Sequence, residues 1–267
     1  MKTALTIAGS DCSGGAGIQA DLKTFSAHGV FGMSVITAIT AQNTQGVSAV
    51  ENLSAEMVSK QIEAIFTDIE VDAVKIGMVS ETKIIKTIAE NLKKYQAQNV
   101  VVDPVMISKS GFDLLQPEAK EALISHLLPL AEVVTPNIPE AEVIVGMKID
   151  TVEDMEKAAL LIHKMGPKKV LVKGGHLTED AIDVLYDGKK ITHYTSERIN
   201  TKNTHGTGCT LSSAITANLA KGANVEEGVR EAKEYITTAI RHSLALGKGY
   251  GPTNHFYSLY QKAGMLD

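Results

Sequence analysis

The run Asn203-Thr204-His205-Gly206-Thr207-Gly208-Cys209-Thr210 passes directly into Leu211-Ser212-Ser213-Ala214-Ile215-Thr216-Ala217-Asn218-Leu219-Ala220-Lys221, and this stretch constrains the chain more than any other. Its second part is small, apolar and free of breakers until Gly222, which predicts a buried helix. A glycine-flanked turn at the start of such a helix leaves several backbone N–H groups without intrahelical partners, all pointing one way. The helix dipole adds positive potential at the same place. That combination is a site for an anion, most often phosphate. Gly206 and Gly208 let the backbone approach the anion closely, and Cys209 falls in the same field, where a thiol pKa is expected to drop. The same residues also read as an ordinary glycine-rich helix start with a buried cysteine, because short glycine motifs match often by chance.

The totals narrow the class. A chain of 267 residues accommodates one large α/β domain or two small ones. With 44% hydrophobic but only 4% aromatic residues, the core must be aliphatic. The net charge of −5, with Lys and Glu interspersed along the helical segments, offers no nucleic-acid surface. Cys12 and Cys209 lie far apart and lack ligand spacing, so neither a zinc site nor a disulfide framework is indicated and a reducing compartment is expected. The apolar run Ala4 to Ala8 is too short for a signal segment, and no stretch approaches a membrane span. The expected location is the cytoplasm.

Read in order, Ala4 to Ala8 is a buried strand, followed by the glycine loop Gly9 to Gly17 and a helix over 18–28. Strand, glycine loop and helix open a nucleotide- or substrate-binding α/β unit. Gly15-Ala16-Gly17-Ile18-Gln19-Ala20 also fits the dinucleotide fingerprint, but the next strand, 34–40, runs into Ala41-Gln42-Asn43-Thr44 where that fingerprint wants a carboxylate. Helices are expected over 54–69, 81–95, 151–165 and 225–246, and strands over 73–76, 100–102, 132–135 and 169–172. Asp187-Gly188 between two strand-like runs predicts a late antiparallel hairpin. No linker or internal repeat interrupts the alternation, so 1–267 reads as a single doubly wound domain.

The chemistry-bearing residues gather at strand ends. Val100-Val101-Val102 runs into Asp103, and the strand ending at Thr135 leads to Asn137 and Glu140. Asp103 is either a ligand-facing carboxylate or a solvated turn before Pro104. Asn137 with Glu140 is either a pair suited to a water-shelled magnesium or a capping box, and the second reading is the simpler. Lys173, at a strand end beside Gly174 and Gly175, is placed to reach a phosphate. Independent solvated residues would scatter, whereas a shared site beyond the strand ends brings all of these together. No Walker motif and no protein-kinase signature occurs, yet the parts needed for phosphoryl transfer are present.

At this point the motifs carry a family resemblance. Ala8-Gly9-Ser10-Asp11, Ser13-Gly14-Gly15-Ala16-Gly17-Ile18-Gln19-Ala20-Asp21-Leu22-Lys23, Ala41-Gln42-Asn43-Thr44, Lys75-Ile76-Gly77-Met78, Asp103-Pro104-Val105-Met106, Thr135-Pro136-Asn137 with Glu140, Lys173-Gly174-Gly175-His176 and the 203–210 run together resemble the hydroxymethylpyrimidine/phosphomethylpyrimidine kinases of thiamine biosynthesis. The resemblance covers nearly the whole chain. It implies a ribokinase-like fold of one α/β domain, with a mostly parallel central sheet flanked by helices and without the lid of sugar kinases. It also implies ATP with Mg2+, a small pyrimidine substrate and a homodimer. By the same resemblance Gln42 would bind the pyrimidine, with Asp21, Gly9 and Met78 completing its pocket, and Lys173, Asn137 and Thr207 would hold the nucleotide. Asp103 and Glu140 would hold the metal; Gly206, Thr207, Gly208 and Cys209 would form the catalytic anion hole, Cys209 standing where many relatives have an Asp base. Cys12 receives no role.

Three other readings remain at this stage. A pyridoxal kinase of the same subgroup also has a cysteine in the anion hole, but typically shows a Met-Asp-like pair in place of Gln42-Asn43 and Ala in place of Thr207. A non-catalytic nucleotide-binding protein would leave Asp103, Glu140, Lys173 and Cys209 unexplained as a set. A dinucleotide oxidoreductase lacks its ribose carboxylate.

Overall fold

The computed structural model describes residues 1–106, 114–175 and 181–266. His176 of the Lys173-Gly174-Gly175-His176 motif lies outside them. In chain order the elements are β1 (Thr3–Asp11), α1 (Gly17–Ala27), β2 (Phe31–Asn43), β3 (Gly46–Asn52), α2 (Ala55–Phe66), β4 (Ala73–Ile76) and α3 (Thr82–Lys94). These are followed by β5 (Val100–Val102), α4 (Pro117–Ala122), β6 (Val133–Val134), α5 (Ile138–Val145), α6 (Val152–His163) and β7 (Val170–Val172). β8 (Ala181–Tyr186), β9 (Ile191–Ser196), α7 (Thr207–Ala220), α8 (Val225–Arg241) and α9 (Tyr257–Lys262) complete the chain.

All nine strands join one sheet in the order β3-β2-β1-β4-β5-β6-β7-β8-β9. The six strands from β2 to β7 pair in parallel. β7 to β9 are antiparallel, as the Asp187-Gly188 turn predicts, and Asp187 Oδ1 accepts the N–H groups of Lys189 and Lys190 to close that turn. The mostly parallel sheet with its late hairpin is thus as expected. The central runs are apolar throughout because both faces are covered. In β5 the side chains of Val100 and Val102 join the cluster under α2, α3 and α6, while Val101 joins Val133 and Leu171 under α7 and α8. Period-two geometry divides an unbroken valine run between two cores.

Five elements differ from the sequence expectation. β2 runs on to Asn43 and turns into an unforeseen antiparallel partner, β3, which gives the sheet a second antiparallel edge. Asn43 Oδ1 accepts from the N–H groups of Gln45 and Gly46, so a local side-chain turn makes the reversal. No residue of β3 is buried, and its weak apolar pattern hid it. α8 stops at Arg241 rather than 246, because residues 242–252 fold back with Leu244 N–H donating to Pro252 O. α4 and α9 are short and had no periodic signal to read.

α7 is the buried helix that its sequence predicts, with every residue from Thr210 to Ala220 inside. Its alanines admit neighbours at close range, and Ala217 packs with Ala4, Phe25 and Ala73. Replacing Ala217 with Leu forces extra volume into this contact and should destabilise the protein by about 1–3 kcal/mol, read as a lower urea midpoint at unchanged slope.

Candidate active site

The parallel strands end in a row: β1 at Asp11, β4 before Gly77-Met78, β5 before Asp103, β6 before Thr135 to Asn137, and β7 before Lys173. A cavity of about 800 Å³ lies beyond these ends, where ligands of open α/β sheets bind. Of the residues proposed from sequence, Gly9, Gln42, Met78, Asp103, Asn137, Glu140, Lys173, Gly206, Thr207, Gly208 and Cys209 all line it.

Asp21 is the exception. Its carboxylate is fully buried below the cavity, where it accepts both oxygens' worth of contact from Lys75 Nζ at 2.9 and 2.8 Å. Thr6 Oγ1 and Ser213 Oγ also donate to it. Asp21 therefore anchors the floor by joining β1, α1, β4 and α7, and the structure does not bring it into the substrate pocket. The Lys75 ammonium pays heavily in hydration for its burial, yet the Asp21 charge outweighs this and holds its pKa above the ordinary lysine value. A lysine inside the apolar strand Ala73-Val74-Lys75-Ile76 was a legible signal, since lysine is almost never fully buried unless paired.

At the cavity's centre, Lys173 Nζ stands 2.8 Å from Asp103 Oδ1. Thr135 Oγ1 donates to the same oxygen and Ser212 Oγ to Oδ2, so β5, β6, β7 and α7 meet on one carboxylate. Burial works against the Asp103 charge, but Lys173 and Lys75 override it and hold the carboxyl below the usual range. Asp103 is a buried, ion-paired group, and the solvated-turn alternative does not describe it.

Asn137 and Glu140 form the capping box of α5: Asn137 Oδ1 accepts from Glu140 N–H at 2.9 Å, and Glu140 Oε2 accepts from Asn137 N–H at 2.8 Å. Both also line the cavity, so the capping and ligand readings are compatible in one pair. Burial pushes the Glu140 carboxyl up to about 7, Lys173 lowering it and Asp103 raising it in turn.

The turn before α7 explains its two glycines. Gly206 takes φ +77°, and a Cβ there would fall 1.8 Å from Gly15 O, so the turn is pressed onto the first glycine loop. A Cβ on Gly208 would meet Lys173 Nζ at 3.5 Å and Asp103 Oδ2 at 3.6 Å, which puts the start of α7 beside the ion pair. No side chain caps this helix, leaving its first N–H groups for a ligand. Cys209 differs from expectation. Burial dominates, and the carboxylates of Asp21 and Asp103 add to it against the pull of Lys75, so the thiol is pushed up to about 11 rather than down.

Sequence reasoning also assigned no role to several residues that the fold brings to the cavity. Asp11 accepts N–H groups from Ser13, Gly15 and Ala16, which shapes the glycine loop, and it pairs with His205 Nε2 at 2.8 Å. Burial opposes its charge, but the bonds from His205 and Ser13 hold its pKa down at about 2. Lys233 of α8 pairs with Asp183 at 2.6 Å, and Asp183 accepts from Gly174 N–H, tying α8 to the strand end that carries Lys173. Such pairings over long separations leave no local pattern.

A carboxyl whose folded pKa lies above its unfolded value binds more protons when folded, so its contribution to stability falls as pH rises between the two values. For Glu140 that window runs from about 4.5 to about 7. Glu140→Gln keeps an oxygen for the Asn137 N–H, and should flatten the decline in melting temperature across this window and exceed wild type in stability at pH 8, as read by calorimetry.

Comparison with known proteins matches this chain to a family. The model of a family described as phosphomethylpyrimidine kinase matches residues 11–254. The chain is 55% identical over 258 residues to a hydroxymethylpyrimidine/phosphomethylpyrimidine kinase of Rhizobium meliloti (strain 1021), covering 95% of this chain and 97% of that one. Among solved structures it is similar to a phosphomethylpyrimidine kinase from Clostridium difficile 630, with 59% identity, a TM-score of 0.81, and 90% of this chain and 100% of that one covered. It is also similar to an ADP complex of a Bacillus subtilis pyridoxal kinase, with 46% identity, a TM-score of 0.89, and 96% and 98% covered. With the family's motifs converging on one cavity, and a match over most of its length, the chain belongs to the phosphomethylpyrimidine kinase family and is a phosphotransferase.

Proposed function

We propose that the protein transfers the γ-phosphoryl group of ATP to the hydroxymethyl group of 4-amino-5-hydroxymethyl-2-methylpyrimidine, and then to the resulting monophosphate, supplying the diphosphate for thiamine assembly. The observation that carries this reading is the sharing of one cavity by the Gln42 amide, the Lys173–Asp103 pair and the uncapped start of α7. A primary amide presents one donor and one acceptor to a ring nitrogen and its neighbouring amino group. Met78 supplies a polarizable thioether for the ring face, and Gly9 leaves room for it. Lys173, Thr207 and Asn137 are the groups assigned to the nucleotide, and the N–H groups of Gly208 and Cys209 to the charge on the transferred phosphoryl group. The ADP complex of the pyridoxal kinase relative supports use of an adenine nucleotide.

Two hard carboxylates, Asp103 and Glu140, suit a magnesium ion that keeps most of its waters, and no cluster of three or more ligating side chains occurs among the described residues to suggest another metal. The ion supplies charge neutralisation to the phosphates when bound. Cys209, pushed up to about 11 by burial, is a thiol in the resting site at neutral pH, so to act as the base for the substrate hydroxyl it must first give up that proton. Homodimer formation, which rests on the family resemblance alone, and a cytoplasmic location, which rests on the cysteine usage and the short first apolar run, complete the proposal.

The test is ADP release with ATP and magnesium, offering hydroxymethylpyrimidine, its monophosphate and pyridoxal in parallel. Turnover of both pyrimidines with little on pyridoxal is expected. A preference for pyridoxal would establish the second reading, which the similarity to the Bacillus subtilis enzyme favours. In the same assay Cys209→Ala should lower kcat by about 10²–10⁴-fold, and full turnover would remove Cys209 from proton transfer.

A further inference from the structure

His205 is buried and makes two contacts through one ring nitrogen. Its Nε2 lies 2.8 Å from Asp11 Oδ2 and 3.3 Å from the terminal Nε2 of Gln42. Asp11 is ionised at neutral pH and accepts only, so the short contact requires the proton on His205 Nε2. A protonated Nε2 cannot accept from an amide N–H. The Gln42 oxygen, not its nitrogen, is therefore the end that satisfies His205, and a half-turn of the amide exchanges the two.

The opposite end of the amide leads to the same arrangement independently. Gln42 Oε1 stands 3.2 Å from Thr40 Oγ1, whose single hydrogen is already directed to Ser10 O at 2.9 Å. A hydroxyl cannot donate twice, but it can accept. With the amide turned, its NH2 donates to Thr40 Oγ1, Thr40 donates to Ser10, and the one hydrogen on His205 Nε2 goes to Asp11 with the Gln42 oxygen as its longer, shared acceptor. Every group is then satisfied. The backbone holds the pair in register: His205 N–H donates to Gly251 O, while Tyr250 N–H and Gly249 N–H donate to the carbonyl and hydroxyl of Thr44, two residues beyond Gln42.

We infer that His205 is a positioning residue that fixes the direction of the Gln42 amide and so decides which way round the pyrimidine binds. The inference rests on the proposed substrate. With the amide oxygen on the His205 side, the 4-amino group lies there and ring N3 lies on the Thr40 side. The hydroxymethyl group, adjacent to the amino group on the ring, then falls toward Gly206 and the start of α7, and the 2-methyl group falls toward Thr40. The reverse amide would send the 2-methyl group to the anion hole and leave the hydroxyl out of reach.

The experiment uses hydroxymethylpyrimidine labelled with 13C in its 2-methyl group, bound at saturation to the full-length protein, with NMR contacts read to the methyls of Thr40 and Thr207. Wild type is expected to show contact to Thr40 only. His205→Ala is expected to show both, and kcat for the pyrimidine should fall by about twofold where the two orientations are equally populated, with KM unchanged, because each amide direction binds the ring in its own orientation with the same affinity. Contact to Thr207 in wild type, or an unchanged single orientation in the variant, overturns the inference while leaving the substrate intact. If the variant does not fold, 15N spectra of wild-type His205 decide: a protonated Nε2 is expected, and a bare one overturns it. Failure of the pyrimidine to bind wild type at millimolar concentration sinks the substrate reading and this inference with it.

Discussion

One carboxylate organises the centre of the molecule. Asp103 sits at the end of β5 and receives Lys173 from β7, Thr135 from the end of β6 and Ser212 from α7. A buried charge is tolerated only when it is paired and hydrogen-bonded, and Asp103 is both. The same contacts fix the separation between the sheet edge and the start of α7. Beneath them Lys75 and Asp21 form a second pair, fully enclosed, that ties α7 to β4 and α1 through Ser213. Removing either partner would strand the other in a low-dielectric interior, so both pairs make the geometry of the cavity sensitive to single substitutions.

Charge explains the state of the resting site as well. Three carboxylates, a cysteine and two lysines share a small buried volume, and their ionisation is collective. Lys173 and Lys75 hold Asp103 ionised, whereas Glu140, less well served and close to Asp103, is pushed up to about 7. Cys209 lies at the positive end of a helix, yet burial, with two nearby carboxylates adding to it, pushes its thiol up to about 11. An inference from helix position alone therefore reached the wrong sign for its pKa. A cation between Asp103 and Glu140 would offset the repulsion that helps raise the Glu140 carboxyl.

Much of this was legible before any coordinates. Unbroken apolar runs such as Val100-Val101-Val102 announce parallel strands covered twice, and the small-residue helix after Gly206-Thr207-Gly208 announces its burial. Eleven of the residues singled out for the site do line one cavity. What escaped notice was non-local. β3 exists because β2 offers an edge, and none of its own residues is buried. Asp21 looked like a pocket residue because it sits in a glycine-loop motif, yet its partner is Lys75, 54 positions away. The roles of Asp11 and His205 depend on a contact across 194 positions.

The account's central claim is that the Gln42 pocket and the uncapped start of α7 are two halves of a single phosphoryl-transfer site. A crystal structure with hydroxymethylpyrimidine, magnesium and a non-hydrolysable ATP analogue tests it most directly. The account predicts the terminal phosphate on the N–H groups of Gly208 and Cys209, Lys173 against the phosphates, and the pyrimidine on Gln42 with its hydroxymethyl oxygen facing the phosphate. A nucleotide seated away from the start of α7, or a pyrimidine bound outside the Gln42 pocket, would contradict it.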